Sequence, residues 1–199
     1  MHLEASFDID QTSDQLAWHF VRYDGEGNPI HGKEAGVINF TVNEKFYIDI
    51  TAGSDNPIAG VKIVDCVLIS KPFMYICGPD VATEYAPPSP FAPKLLGAIV
   101  GASIALPAAE FEEVTVPPVR KYHRAKYHWN NHLTVGGFQG RWELSFVLTV
   151  QIARPNGRQE LRVFSFDPES DVSNGVIDSP ADVSSATLLP ESDVNNGTI

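Results

Sequence analysis

Apolar and polar residues alternate along most of this chain, and the alternation predicts strands almost throughout. Leu3, Ala5, Phe7 and Ile9 interleave with His2, Glu4, Ser6 and Asp8. Leu16, Trp18 and Phe20 repeat the pattern, as do Phe46, Ile48 and Ile50. A period of two in β-branched and aromatic residues marks a strand with one buried face. The longest example spans 141–153, with Trp142, Leu144, Phe146, Leu148, Val150 and Ile152 on one side. Glu143, Ser145, Thr149 and Gln151 occupy the other. Pro155-Asn156-Gly157 then predicts a turn, and 161–166 the returning strand. That strand has two candidate inward faces, Leu161 with Val163 or Phe164 with Phe166. The run 61–70 is apolar on both faces and reads as a central strand. With turns at 24–28 and 54–57, the chain holds about eight short strands and no amphipathic helix. The expected fold is all-β, an antiparallel sandwich of Greek-key or jelly-roll type.

Two segments depart from this pattern. Seven of the 15 prolines fall between Pro87 and Pro118, and they bracket the uncharged apolar run 95–106. That run is shorter than the roughly 20 residues a membrane helix needs. The 85–118 insertion is expected to pack on the edge or end of the sandwich. The alternative is an apolar arm completed by a second subunit, with Leu95, Leu96, Ile99 and Val100 at the contact. The other departure is the tail 167–199. PESDVSNGVI at 168–177 and PESDVNNGTI at 190–199 are one phrase with two substitutions, and PADVSSAT at 180–187 is a worn third copy. Such a phrase cannot build a core, so the expected domain is 1–166 with an acidic, repeat-containing extension.

Charge follows the same division. The net charge is −11, and residues 167–199 hold seven of the 25 acids and no Lys or Arg. The remaining 18 acids face all 14 bases within 1–166, so the body is nearly balanced. A general nucleic-acid binder is not expected, because phosphate contacts need a cationic face. The first residues, MHLEASFDID, carry neither a basic nor an apolar leader segment, and a cytoplasmic location is expected. A hairpin centred on Lys71-Pro72 would set Cys66 opposite Cys77. In a reducing compartment two buried free thiols are the expectation instead.

Candidate chemistry concentrates at 120–132, RKYHRAKYHWNNH, which holds four of the 14 Lys and Arg residues and three of the six histidines. Arg120, Lys121, Tyr122, Arg124, Lys126, Tyr127 and Trp129 interleave cations with aromatic rings, a composition suited to a glycan or an anionic small molecule. His123, His128 and His132 have no cysteine or paired acid beside them in sequence, so no metal set is read there. Ser103 lies in Gly-Ala-Ser-Ile-Ala, which lacks the second glycine of a nucleophile elbow. Glu110, Glu112 and Glu113 read as a solvated edge. Gly136–Gly140 leads into a strand, so no helix dipole is aimed at a phosphate. No catalytic motif and no cofactor are implied.

The order of features is similar to that of the small bacterial inclusion-body proteins of the PixA/AidA type. The likeness rests on an N-terminal strand, a strand ending in a polar turn at 17–27 and a strand pair at 37–51 with Phe40 and Val42. His128-Trp129-Asn130, the long strand at 142–152 and the closing Phe166-Asp167-Pro168 complete it. The Asp-Pro ending also fits other small bacterial β-sandwich families of unknown function. The resemblance implies a β-sandwich without established catalysis, linked to intracellular inclusions. The leading expectation is a non-enzymatic, self-associating protein that forms homo-oligomers. The alternative is a ligand-binding module built on the aromatic and basic strand. The tail is read either as a solvated, disordered extension that keeps the protein soluble or as a docking segment, in which at least one PESDV copy adds on or beside that strand with Val172 or Val194 as apolar anchor. Its acids would pair with Arg120, Lys121, Arg124 or Lys126.

Overall fold

Successive side chains of a strand point to opposite faces, so a two-residue period buries one face and solvates the other. In the computed structural model, residues 1–30, 38–75, 84–93, 100–116, 121–138, 140–166 and 171–174 are described. The first half contains β1 (His2–Asp8), β2 (Ala17–Val21), β3 (Ile38–Phe40), β4 (Lys45–Ser54), β5 (Gly60–Pro72), β6 (Met74–Tyr75) and β7 (Glu84–Tyr85). Then come β8 (Ser103–Ala105), a 3-10 turn at Ala108–Glu110, β9 (Phe111–Val114), β10 (His123–Trp129) and β11 (Leu133–Thr134). β12 (Arg141–Ala153), β13 (Gln159–Phe166) and β14 (Asp171–Asn174) close the series. No α-helix occurs among the described residues, and none of their helices is long and apolar enough to cross a membrane.

Two mostly antiparallel six-stranded sheets carry twelve of these strands, and β6 pairs with β7 in a separate two-stranded sheet. The first runs β2-β1-β4-β10-β9, with β11 also on β4. Here β1 and β4 are parallel, so Leu3, Ala5 and Phe7 lie beside Ile48, Ile50 and Ala52. The second sheet runs β3-β14-β12-β5-β8, with β13 also on β12. Their apolar faces share one core: Phe7 of β1 stacks on Phe164 of β13 at 4.4 Å, and Trp18 of β2 on Phe166 at 5.0 Å.

β12 behaves as its pattern predicts, since every second residue from Trp142 to Ile152 is buried. It also settles the face of β13. Phe146 lies opposite Phe166 and Leu148 opposite Phe164, and residues directly opposite in an antiparallel pair share a face. Phe164 and Phe166 are therefore core, while Leu161 and Val163 are 66% and 50% exposed. The connecting turn closes with the Gly157 amide donating to the Arg154 carbonyl at 2.9 Å. Gly157 has φ 81°, which glycine adopts without a Cβ penalty. On the other flank, β5 carries an extra residue opposite the step from Thr149 to Val150. Ile63 and Cys66 thus both face inward, with exposed Val64 and Asp65 between them.

No hairpin turns at Lys71-Pro72, because β5 stays paired with β12 to its end, Lys71 opposite Glu143 and Pro72 opposite Trp142. Cys66 is a buried free thiol whose pKa burial pushes up, and Cys77 lies outside the described residues. In the Pro-rich insertion, Leu95, Leu96 and Ile99 lie outside the described residues and Val100 is half-buried. Beyond it, Ser103–Ala105 pairs with Val67, Leu68 and Ile69 of β5, and Leu106 is buried. Finally, the described part of the first tail copy, Asp171–Asn174, joins the second sheet, not the sheet that contains β10. Asp171–Asn174 pairs antiparallel with Arg141, Trp142 and Glu143 and parallel with β3. The reason is ladder vacancy. β13 pairs with β12 only from Phe146 onward, leaving that edge open at 141–143. β10 is flanked by β4 on one side and β9 on the other. Val172 falls opposite Trp142 in this added strand, and Val194 lies outside the described residues.

Candidate functional site

The alternation of β10 divides the aromatic and basic cluster between two faces. Ala125, Tyr127 and Trp129 point inward and are buried, whereas Arg124, Lys126 and His128 are half-buried on the outer face. The Tyr127 hydroxyl donates to the Val61 carbonyl at 2.7 Å, and Trp129 Nε1 donates to Glu110 Oε2 at 3.0 Å. These two rings are packing residues with satisfied polar tips, so a ligand on the outer face does not stack on them. Lys121 is exposed, and Arg120 lies outside the described residues.

Tyr122 belongs to the outer face and lies across the sheet. Its ring occupies the space a side chain at Gly53 would need, since a Cβ there would sit 2.5 Å from Tyr122 Cε1. Its hydroxyl donates to Asp8 Oδ2 at 2.8 Å. Burial and the hydrogen bond to the Asp8 carboxylate push the phenol pKa up to about 12.

The parallel pairing of β1 with β4, and the antiparallel pairing of β4 with β10, bring distant residues onto that face. Tyr47 is the neighbour of His2, and Asp49 is the neighbour of both Glu4 and His128. Asp49 sits at the centre and is only 4% exposed. His2 Nδ1 lies 3.1 Å from its Oδ2 and His128 Nδ1 2.7 Å from its Oδ1. Lys126 Nζ completes the cluster at 3.4 Å from Oδ2. Burial alone would raise the Asp49 pKa. The hydrogen bonds from the two imidazoles, with the Lys126 charge, outweigh it and hold the carboxyl at about 2.

An ionised carboxylate only accepts hydrogen bonds. Both imidazoles must therefore carry a proton on Nδ1, which assigns the same tautomer to each and leaves Nε2 as the working nitrogen. The two rings stand 6.4 Å apart, centroid to centroid, at an interplanar angle of 29°. Tyr47 is stacked 4.9 Å from His2 and 6.2 Å from His128. Tyr23 meets His2 edge-on at 5.0 Å and donates its hydroxyl to Glu4, which also holds His19 Nε2 at 2.6 Å. Burial, reinforced by Glu4, raises the Tyr23 pKa, so this phenol stays protonated. His2, Tyr23, Gly27, Asp49, Val114, Lys126 and His128 line a depression of about 510 Å³. A second depression of about 430 Å³ on the same face includes Glu4, Ser6, Asp8, His19, Tyr122 and Arg124.

Of the sequence-derived candidates, Lys126 lines the first depression and Tyr122 and Arg124 the second. His2 and Asp49 were not among them. Each occupies an outward position in an alternating strand, where a polar residue is the ordinary choice. What distinguishes them is a strand pairing across more than forty residues of sequence. Among the described residues, no group of three or more His, Cys, Asp and Glu is arranged to hold a metal ion. No known protein family matches the chain, and no curated protein or solved structure matches it either.

Proposed function

We propose that this chain is a β-sandwich binding module, of Greek-key or jelly-roll type, that takes a small anionic ligand on the outer face of its first sheet. One observation carries the reading. Among the described residues lining the His2–His128 depression, Asp49 is the one side chain that only accepts, and it is buried beneath the donors, while Lys126, His128 and His2 keep 30%, 34% and 22% of their side chains exposed. A ligand entering there meets the N–H groups of Lys126, His128 and His2 first. Donors from β1 and β10, the strands flanking β4, are held in place by one β4 carboxylate, so little ordering remains to be done on binding. Calorimetric titration with inorganic phosphate, a nucleoside monophosphate and a uronic acid tests this. Saturable binding of at least one is expected, weakened about tenfold or more by Lys126→Gln (about 1.4 kcal/mol) and by added salt. No saturable binding by any of the three sinks the proposal.

Self-association is the second reading, favoured by the outer face of the second sheet. Val64, Leu161 and Val163 are 44%, 66% and 50% exposed there, and exposed apolar clusters commonly mark contacts between chains. The likeness to inclusion-body proteins points the same way. Light scattering on the full chain is expected to show assemblies that Leu161→Lys with Val163→Lys reduces to smaller folded species. A monomer at every concentration removes this reading.

A further inference from the structure

The His2–Asp49–His128 cluster contains the parts of an acid–base pair, and we propose that it cleaves a small phosphodiester bearing a hydroxyl on the adjacent carbon. The proposal rests on the anion-binding reading above and adds a reaction to it. Asp49 accepts from Nδ1 of both rings, so one imidazole can be neutral with its Nε2 lone pair outward while the other carries a proton there. A base and an acid of this kind each need to come within about 2.6–3.2 Å of a reacting oxygen. Rings 6.4 Å apart can serve two different oxygens of one bound phosphoryl group. Lys126, on the same depression, supplies the cation for the non-bridging oxygens.

The lining also indicates where the nucleophile comes from. Among the described residues of this depression there is no Ser, Thr or Cys, and its one hydroxyl, Tyr23, is a phenol hydrogen-bonded to Glu4. On this reading the attacking oxygen arrives with the substrate, and the deoxy substrate below separates it from attack by water. In the step, the neighbouring hydroxyl gives its proton to Nε2 of the neutral imidazole as its oxygen forms a bond to phosphorus. The P–O bond to the leaving group breaks, and that oxygen takes the proton from Nε2 of the other ring. The products are a five-membered cyclic phosphodiester and an alcohol, with no oxidant, reductant or second substrate consumed. Residues 1–166 hold 18 acids against 14 bases, which suits a dinucleotide-sized substrate and not a polyanion. Asp49 does not touch the substrate and is a positioning residue.

Uridylyl-3′,5′-adenosine, incubated with the full chain in EDTA, tests the step. Formation of uridine 2′,3′-cyclic phosphate and adenosine is expected, with none from the 2′-deoxy dinucleotide, which lacks the nucleophile. His2→Asn and His128→Asn, purified in parallel, are each expected to lower the rate about 100-fold or more. His2→Gln and His128→Gln serve if an Asn variant melts early. Asp49→Asn is expected to lower kcat while leaving KM within about threefold, because it frees the tautomers without removing Lys126. Calorimetry with uridine 3′-monophosphate separates the two readings. If the nucleotide binds but no cyclic phosphate forms, the catalytic step is wrong and the binding module stands. If it neither binds nor turns over, this substrate class is wrong. Equal cleavage of the deoxy substrate, or full activity in the histidine variants, also overturns the proposal.

Discussion

Phe146→Ala is expected to lower the stability of the domain by about 3–5 kcal/mol, a large part of the roughly 5–15 kcal/mol that holds a domain of this kind together. Phe146 is fully buried in the middle of β12, with Leu68 of β5 on one side and Phe166 of β13 on the other. Its ring stacks on Phe166 at 5.7 Å. Removing it takes away the transfer free energy of the ring and leaves a cavity between two sheets whose backbones are pinned by their ladders, so collapse can recover little. Leu161→Ala on β13 is the matched control. That side chain is 66% exposed, and its truncation should cost no more than about 0.5 kcal/mol. Urea denaturation of both variants checks the pair. Similar midpoints would mean that the inward face of the second sheet has been assigned to the wrong residues.

The core was legible in the sequence where alternation is long and unmixed. β12 needed nothing beyond its own pattern, and Leu3, Ala5, Phe7, Phe46, Ile48 and Ile50 follow theirs into the core. β13 was ambiguous because both of its faces are apolar, and only its register with β12 resolves it. The doubly apolar reading of 61–70 missed the bulge at Val64, since one inserted residue changes the phase midway along the strand. The site was half legible. The phrase at 120–132 drew notice for its composition, but period two places Tyr127 and Trp129 inside and Lys126 and His128 outside. The other half of the cluster, His2 and Asp49, depends on a parallel pairing that leaves no local trace. Of the tail, Asp171–Asn174 adds at the open edge of β12 and not on or beside 120–132, and the second copy lies outside the described residues. Each exposed ion pair is worth only about 0–1 kcal/mol, which does not outweigh a vacant backbone ladder.

Asp49→Asn should be most costly near neutral pH and lose its effect in acid. The folded-state pKa of Asp49 is depressed from 3.8 to about 2. A depressed carboxylate stabilises the fold above its unfolded pKa, and that contribution disappears as pH falls through the folded value. The difference corresponds to roughly 2 kcal/mol at pH 7. Asparagine has the shape of the protonated carboxyl and no charge, so the variant resembles the wild type after Asp49 has been protonated. The stability gap between the two proteins is therefore expected to be about 2 kcal/mol at neutral pH. It should narrow below about pH 4 and be small near pH 2. Asp10, hydrogen-bonded by Ser54 and Arg154, and Glu44, where hydrogen bonds from Arg22 outweigh burial, are depressed as well. Both proteins should thus weaken in acid, and only the gap reports on Asp49. Denaturant melts of wild type and variant across that range measure it. A gap that stays constant from pH 6 to pH 2 would mean that the two imidazoles and Lys126 do not hold Asp49 in its ionised form. The shared tautomer of His2 and His128 would then lose its physical cause.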